Sequence, residues 1–402
     1  MKKIVLVNDR QIGGGAETVL NLEYNILRET GFDVYIITFD SNDIISEKKI
    51  VIKNNLNDKI VKFFGSLNIS KEFDKILSDI NPNLIHLHLI SSFPLAVYKS
   101  KALKKYKVIQ TLHGPNLFCA SGWGRCLNQH ELNRQHKDKR YLSPYVQCFS
   151  SKCCSLPVTL LYKQLSLRYF NDLKENVNVF HSPSRFIYNI AENFGLDNNK
   201  IIYLPIDDKF LSKPIKKKKT YPTVIFAGSI SRQKGAHLLI PILVELKKSI
   251  KNVKLIIAGE GELLQQLKED TLRYDLSKNI KFLGFVSSEK MKEFYLSGDV
   301  FLMPSIWNEQ FGLVGVESLA CEVPVVASNV GGIPEWLSHN EYGFLVDANN
   351  IKEYASSVLK LLNNCNLRTR MGKKGREKVV QKFNSRIFKK NINNLILNLL
   401  NE

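Results

Sequence analysis

Short apolar runs recur along the chain, each followed by a longer stretch whose apolar positions have helical spacing. Near the N-terminus, IVLVN reads as a strand, Ala16 to Arg28 as an amphipathic helix, and VYIITF (Val34 to Phe39) as a second strand. LIHLH (Leu84 to His88) and VIQTLH (Val108 to His113) continue the series. These runs are rich in Ile and Val without strict alternation, which suits a parallel sheet covered on both faces. The pattern breaks from about Pro115 to Phe170. It returns at VNVFHSPSRF, followed by a strand IIYLP from Ile201 to Pro205. A second series begins at TVIFAG (Thr223 to Gly228) and passes through VKLIIAG, IKFLGF, DVFLMP, VPVVAS and GFLV. The expected fold class is therefore α/β, with two separate parallel-sheet domains.

A chain of 402 residues fits that division. The first domain spans 1–205 and carries an irregular, cysteine-containing insertion at 115–170. A run of four lysines between prolines marks a basic linker over 206–222. The second domain spans 223–383, and 384–402 is a closing polar-apolar helix. With 44% hydrophobic residues and ordinary Gly and Pro usage, a soluble globular protein is expected. No apolar run approaches the roughly 18–20 residues of a membrane span. The opening MKKIVLVNDR has only IVLV as an apolar core, so it reads as a first strand and not a signal peptide. A cytoplasmic location with the seven cysteines as reduced thiols follows.

The net charge of +19 is spread evenly: residues 1–180 hold 25 basic and 16 acidic residues (+9), the rest 32 and 22 (+10). No zinc-finger spacing or RNP-type aromatic motif accompanies it, so no nucleic acid is expected. A membrane surface and phosphate-rich substrates rank first. Leu156 to Phe170, with Lys163 and Arg168, reads as a basic amphipathic segment able to lie on the inner face of the cell membrane, and equally as a helix packed in the first domain's core. Five cysteines crowd into the insertion. Free thiols weigh above a structural zinc held by Cys119, Cys126, Cys148 and Cys153 or Cys154, because the spacing is loose for a zinc knuckle.

Four segments carry candidate chemistry. EQFGLVGVE places Glu309 and Glu317 eight positions apart, the first in the loop before a helix and the second inside it. Gly312 and exposed N–H groups lie between them to meet a phosphate. Gly13-Gly14-Gly15-Ala16-Glu17 runs from the first strand into a helix, a second anion site in kind. A dinucleotide fingerprint there is incomplete, because its third glycine falls on Thr18, although Asp40 ends the next strand as a ribose-binding acid would. His113 in TLHG ends a strand at the edge where open α/β sheets place ligands. His86 and His88 are read as packing residues. FAGSISRQKG (Phe226 to Gly235) sets Lys234 just before a helix.

The ordered set GG-x-E, HG, KG, E-x7-E and GGIPE resembles the retaining glycosyltransferases of family 4. The resemblance runs from Gly13 to the final helix and is strongest from Val224 to Asp347. It implies a GT-B fold, two Rossmann-like domains facing a central cleft, with the closing helix crossing back to the first domain. It implies a nucleotide-diphosphate sugar as donor, a glycan or lipid-linked glycan as acceptor, and a role in bacterial surface polysaccharide biosynthesis. No metal cofactor is expected: the chain has no D-x-D pair, and fixed charge can stabilise the departing phosphate. Carried over residue by residue, His113 lies beside the anomeric centre, Lys234 meets the diphosphate, and Gly14 and Gly15 face the reacting centre. Glu309 and the backbone of Gln310, Phe311, Gly312 and Leu313 hold the donor sugar and its phosphate, and Glu317 holds the ribose. Gly259 and Val286 line the base slot. The family's arginine after the strand glycine is Ser229 here, which leaves Lys234 and Arg232 for the phosphates. A catalytically weak partner protein and a nucleotide-binding oxidoreductase are the alternative readings, motivated by Ser229 and by the glycine loop.

Overall fold

The computed structural model describes residues 1–11, 14–39, 48–52, 67–90, 94–114, 170–215 and 220–402. Gly13, Asp40, residues 115–169 with Cys119, Cys126, Cys148, Cys153 and Cys154, and the lysines 216–219 lie outside the described residues. The calls on a zinc site and on a membrane-facing segment fall there. The chain divides into two compact units, Met1–Leu204 with Arg386–Glu402, and Pro205–Ser385.

In the first unit, β1 (Lys3–Val7), α1 (Gly15–Glu29), β2 (Asp33–Thr38), β3 (Lys49–Val51), α2 (Leu67–Ile80), β4 (Leu84–Leu87), α3 (Pro94–Tyr98), β5 (Lys107–Thr111), β6 (Val179–Ser182), α4 (Arg185–Asn193) and β7 (Asn199–Ile201) follow one another. The strands form a seven-stranded sheet in the order β3-β2-β1-β4-β5-β6-β7, and every pairing is parallel. The last strand ends at Ile201, earlier than IIYLP suggests, and the short edge strand KIV was not legible from the pattern. Parallel pairing requires crossovers, so both faces are covered and β1, β4 and β6 bury nearly every side chain.

The second unit holds β8 (Thr223–Ala227), α5 (Leu239–Ser249), β9 (Lys254–Ala258), α6 (Leu264–Arg273), β10 (Ile280–Gly284), α7 (Ser288–Ser297), β11 (Val300–Met303), α8 (Leu313–Ala320), β12 (Val325–Ser328), β13 (Gly343–Val346), α9 (Ile351–Asn363) and α10 (Cys365–Lys382). Its sheet order is β10-β9-β8-β11-β12-β13, again parallel throughout. Asn350 and Asn364 start the last two helices, their side chains accepting the N–H groups of Glu353 and Leu367 at 3.2 and 2.9 Å. In both sheets the strand order reverses beside the first strand, between β1 and β4 and between β8 and β11. Those switch points open a crevice at the carboxyl ends, where ligands of such sheets bind.

The closing helix α11 (Ser385–Asn401) buries Phe388, Ile392, Ile396 and Leu399 in one core cluster with Leu20, Leu27 and Ile36 of the first unit. Its 3- and 4-residue spacing gives a single apolar stripe. Lys389 adds an exposed pair to Glu29 at 3.0 Å, worth little beside that burial. We expect Phe388→Ala to destabilise the first unit by about 3–5 kcal/mol, the usual cost of emptying a buried phenyl site. Denaturant unfolding checks it, and an unchanged midpoint would show that α11 is not part of that core.

Candidate functional site

In the second unit, the loops after β8 and β11 meet at the switch point. Gly235 sits in the left-handed region (φ +69°), and a Cβ there would lie 1.8 Å from the Pro304 carbonyl oxygen, so only glycine fits. Gln233 O accepts the N–H groups of Ile306 and Trp307 at 3.0 and 3.3 Å, tying the two loops together. This close approach sets Lys234 against Glu309. The Lys234 Nζ donates to both carboxylate oxygens, at 2.7 and 2.9 Å, and Ser305 Oγ donates to Oε1 at 2.7 Å. Glu309 is 5% exposed. A carboxylate so buried needs a cation and further donors, and here it has both.

Glu309 is also held from behind. Gly332 N–H donates to its carbonyl at 2.7 Å, and a Cβ on Gly331 (φ +56°) would come within 2.1 Å of that same oxygen. The paired glycines of GGIPE therefore let one backbone lie on another. The Lys234 ammonium also lies 5.9 Å from the centre of the Trp307 ring, whose buried Nε1–H has no partner among the described residues. Neither Ser305 nor Trp307 was legible as a site residue; both belong to the strand-end run between β11 and Glu309.

Eight residues on, Glu317 lies inside α8, whose N-cap is Gly312 at φ +86°. The Gly312 and Leu313 backbone thus opens a helix whose first N–H groups face outward along its axis. Phe311 serves the core: its ring is 1% exposed and packs edge-on against Phe383, and its carbonyl accepts the Trp336 indole N–H. Gln310 beside it is partly buried. Glu317 accepts a hydrogen bond from the Tyr295 hydroxyl at 2.7 Å. Burial pushes its carboxyl up to about 7, and the Tyr295 bond opposes that only in part.

The neighbouring loops complete the edge. Ser229 and Arg232 are exposed, and Ser229 O accepts the Ser231 N–H at 2.8 Å. Gly259 N–H donates to Gly284 O at 2.7 Å, and Val286 is partly buried two residues further. In the first unit, Gly14 and Gly15 open α1 at the end of β1. The Glu17 carboxylate caps its own helix there by accepting the Gly14 N–H at 2.9 Å. His113, 7% exposed, follows β5, and its Nε2 lies 3.0 Å from His88 Nδ1. Burial lowers its pKa well below the usual histidine value, so the ring is neutral. His86 and His88 do more than pack. They join Glu23, Thr111 and His181 in a buried polar chain.

The family model of Glycosyltransferase Family 4 matches residues 13–210, and that of Glycosyl transferases group 1 matches residues 207–378. The chain is 28% identical over 371 residues to the uncharacterized glycosyltransferase MJ1178 of Methanocaldococcus jannaschii, covering 91% of this chain and 89% of that protein. It is 31% identical over 215 residues to the capsular polysaccharide biosynthesis glycosyltransferase CapM of Staphylococcus aureus, covering 52% and 53%. Anabaena HepE, solved in complex with UDP and glucose, has the same fold, with a TM-score of 0.73, 17% identity, and coverage of 99% and 100%. Two parallel-sheet α/β domains of this kind define the GT-B class, and the chain belongs to its family 4 glycosyltransferases.

The ion pair makes a direct prediction. Lys234→Met strands the Glu309 carboxylate in a largely buried site. A fully buried pair broken this way costs about 3–5 kcal/mol, and the exposure of Lys234 brings the expectation down to about 1–3. Glu309→Gln in the same chain should recover part of the loss, because the amide leaves no stranded charge. Thermal unfolding of the single and double variants measures this, and additive effects would dissolve the coupling.

Proposed function

We propose that this glycosyltransferase moves a sugar from a nucleotide-diphosphate donor to a glycan or lipid-linked glycan acceptor, with retention at the anomeric carbon, in the assembly of a bacterial surface polysaccharide. The observation that carries it is the Lys234–Glu309–Ser305 cluster at the switch point of the second sheet. It offers a partly exposed cation for a diphosphate and a buried carboxylate for sugar hydroxyls within one hydrogen-bonded group. The relatives support the reading: HepE is solved with UDP and glucose, and CapM acts in capsular polysaccharide biosynthesis.

In this mechanism the donor replaces the internal ion pair. The diphosphate takes Lys234, with Arg232, Ser229 and the first N–H groups of α8 as further donors. The sugar hydroxyls take Glu309, and the ribose hydroxyls take Glu317. The bond from the anomeric carbon to the phosphate oxygen breaks, and the acceptor oxygen bonds to that carbon from the same face. The acceptor's proton passes to the departing phosphate oxygen. Protein groups contribute position and fixed charge, which is what stabilising a leaving diphosphate requires. Lys234 serves this purpose without a metal cofactor. His113 faces the sugar as a neutral ring. A cytoplasmic enzyme working at the inner face of the membrane fits the basic charge and a lipid-linked acceptor; among the described residues no helix is long and apolar enough to cross a membrane.

A panel of UDP-, GDP- and ADP-sugars, scored by nucleotide release with and without glycan acceptors, tests the reading. Glu309→Ala should reduce transfer by roughly 10²–10³ or more, the scale of a lost transition-state contact. Unaltered kinetics in that variant would remove Glu309 from the site. Glu317 gives a pH signature. Its carboxyl titrates at about 7 in the free protein, and ribose hydroxyls need the ionised form as acceptor. Donor affinity should therefore improve as pH rises through that value and then level off, whereas Glu317→Gln should bind weakly at every pH. A flat wild-type profile of donor KM would contradict the ribose assignment.

A further inference from the structure

With Glu23 and His86 both neutral, as burial favours for each, the buried chain behind His113 admits one consistent placement of protons. His181 Nε2 lies 2.7 Å from the carbonyl oxygen of Ile202, which can only accept, so that nitrogen carries the hydrogen and Nδ1 is a lone pair. The Thr111 hydroxyl then donates to His181 Nδ1 at 2.8 Å and accepts from His86 Nε2 at 2.7 Å. His86, with Nε2 protonated and the ring neutral, presents a lone pair at Nδ1. Glu23 Oε1 is 2.6 Å from that atom, so the hydrogen between them belongs to the carboxyl group. Burial acts the same way on both partners, raising the pKa of Glu23 and lowering that of His86 to about 3. Among the described residues no lysine or arginine is paired with Glu23, which is fully buried.

The other carboxyl oxygen, Oε2, faces His88 Nε2 at 3.5 Å, and both atoms are buried without another partner among the described residues. An N–H on His88 Nε2 directed at this carbonyl-like oxygen is the arrangement that leaves neither wholly unpaired. His88 Nδ1 is then an acceptor, and it is 3.0 Å from His113 Nε2, which must donate. His113 is left with Nδ1 as its lone pair, and among the described residues no group hydrogen-bonds that atom.

We propose that Glu23 is a positioning residue: held as a neutral carboxylic acid, it fixes the tautomers of His86 and His88 and, through His88, makes His113 offer Nδ1 as a hydrogen-bond acceptor to a hydroxyl of the bound sugar. The inference rests on the reading of His113 as a ligand of the donor sugar. A ring free to take either tautomer would present a donor in part of the molecules and lose the hydroxyl contact there. Glu23, His86 and His88 also lie close enough together to suggest a cation site. Both nitrogens of His86 are already engaged, however, and the carboxyl hydrogen occupies the position a metal would take.

Long-range ¹H–¹⁵N correlation spectra of the full chain labelled in its histidine rings read the tautomers directly. In the wild type, His113 should be protonated at Nε2 and bare at Nδ1, and His86 should show the same pattern. Glu23→Gln should keep both patterns, because an amide can donate to His86 and accept from His88 as the neutral acid does. Glu23→Leu and His88→Phe should turn His113 into a tautomer mixture. They should lower kcat by roughly tenfold, the scale of losing a partner that orients a histidine, while donor KM stays within about twofold. A wild-type His113 protonated at Nδ1, a pattern unmoved in His88→Phe, or one equivalent of zinc bound by the wild type and lost in Glu23→Gln would each overturn the proposal. The wild-type and Glu23→Gln spectra decide it even if the apolar variants do not fold. Wild-type turnover by His113→Ala would instead overturn the sugar-ligand reading and leave the tautomer result standing.

Discussion

Every strand pairing in both sheets is parallel, and that constraint decides where polar chemistry can lie in this protein. Parallel neighbours cannot be joined by a tight hairpin, so helices cross both faces and the strands become largely apolar. Polar groups are thereby displaced to the carboxyl ends, and they gather where the strand order reverses. Lys234 and Glu309 leave the ends of β8 and β11, while His88 and His113 leave the ends of β4 and β5.

The two polar clusters solve the problem of burial in opposite ways. Glu309 has a cation, a hydroxyl donor and partial access for the lysine, so charge is retained and a ligand can exchange for the ion pair. Glu23 sits against His86 and His88 with no cation paired to it among the described residues, and the cheaper state there is a neutral acid hydrogen-bonded to a neutral ring. One cluster is built to change partners during a reaction. The other is built to hold its protons still.

Much of the fold was readable as periodicity. Apolar runs without alternation pointed to parallel strands, and the helical stretches between them to crossovers; the sheets are of that kind, in the GT-B architecture. The position of Glu309 before the helix and of Glu317 within it was also legible, because Gly312 interrupts the helical pattern between them. The KIV edge strand was not, since three residues carry no period, and its place is decided by pairing with β2. Ser305 and Trp307 were missed for a related reason: a serine and a tryptophan after a strand have no motif, and only the approach of the two loops gives them a role.

What the sequence by itself determined is the kind of chemistry available: glycines where backbones must meet, one lysine before a helix, two glutamates a fixed distance apart, and histidines at strand ends. Those are properties of spacing along the chain, which local geometry preserves. The tertiary structure alone decided which of these residues touch. Gly235 and Gly331 allow contacts between segments about 70 and 20 residues apart in sequence, because a missing side chain leaves room for a carbonyl oxygen. Glu23 reads as one more polar position on an amphipathic helix until His86 of β4 and His88 beyond it meet its carboxyl group and burial removes its water. Its proton, and with it the face that His113 presents, is fixed by that burial, which no window along the sequence contains.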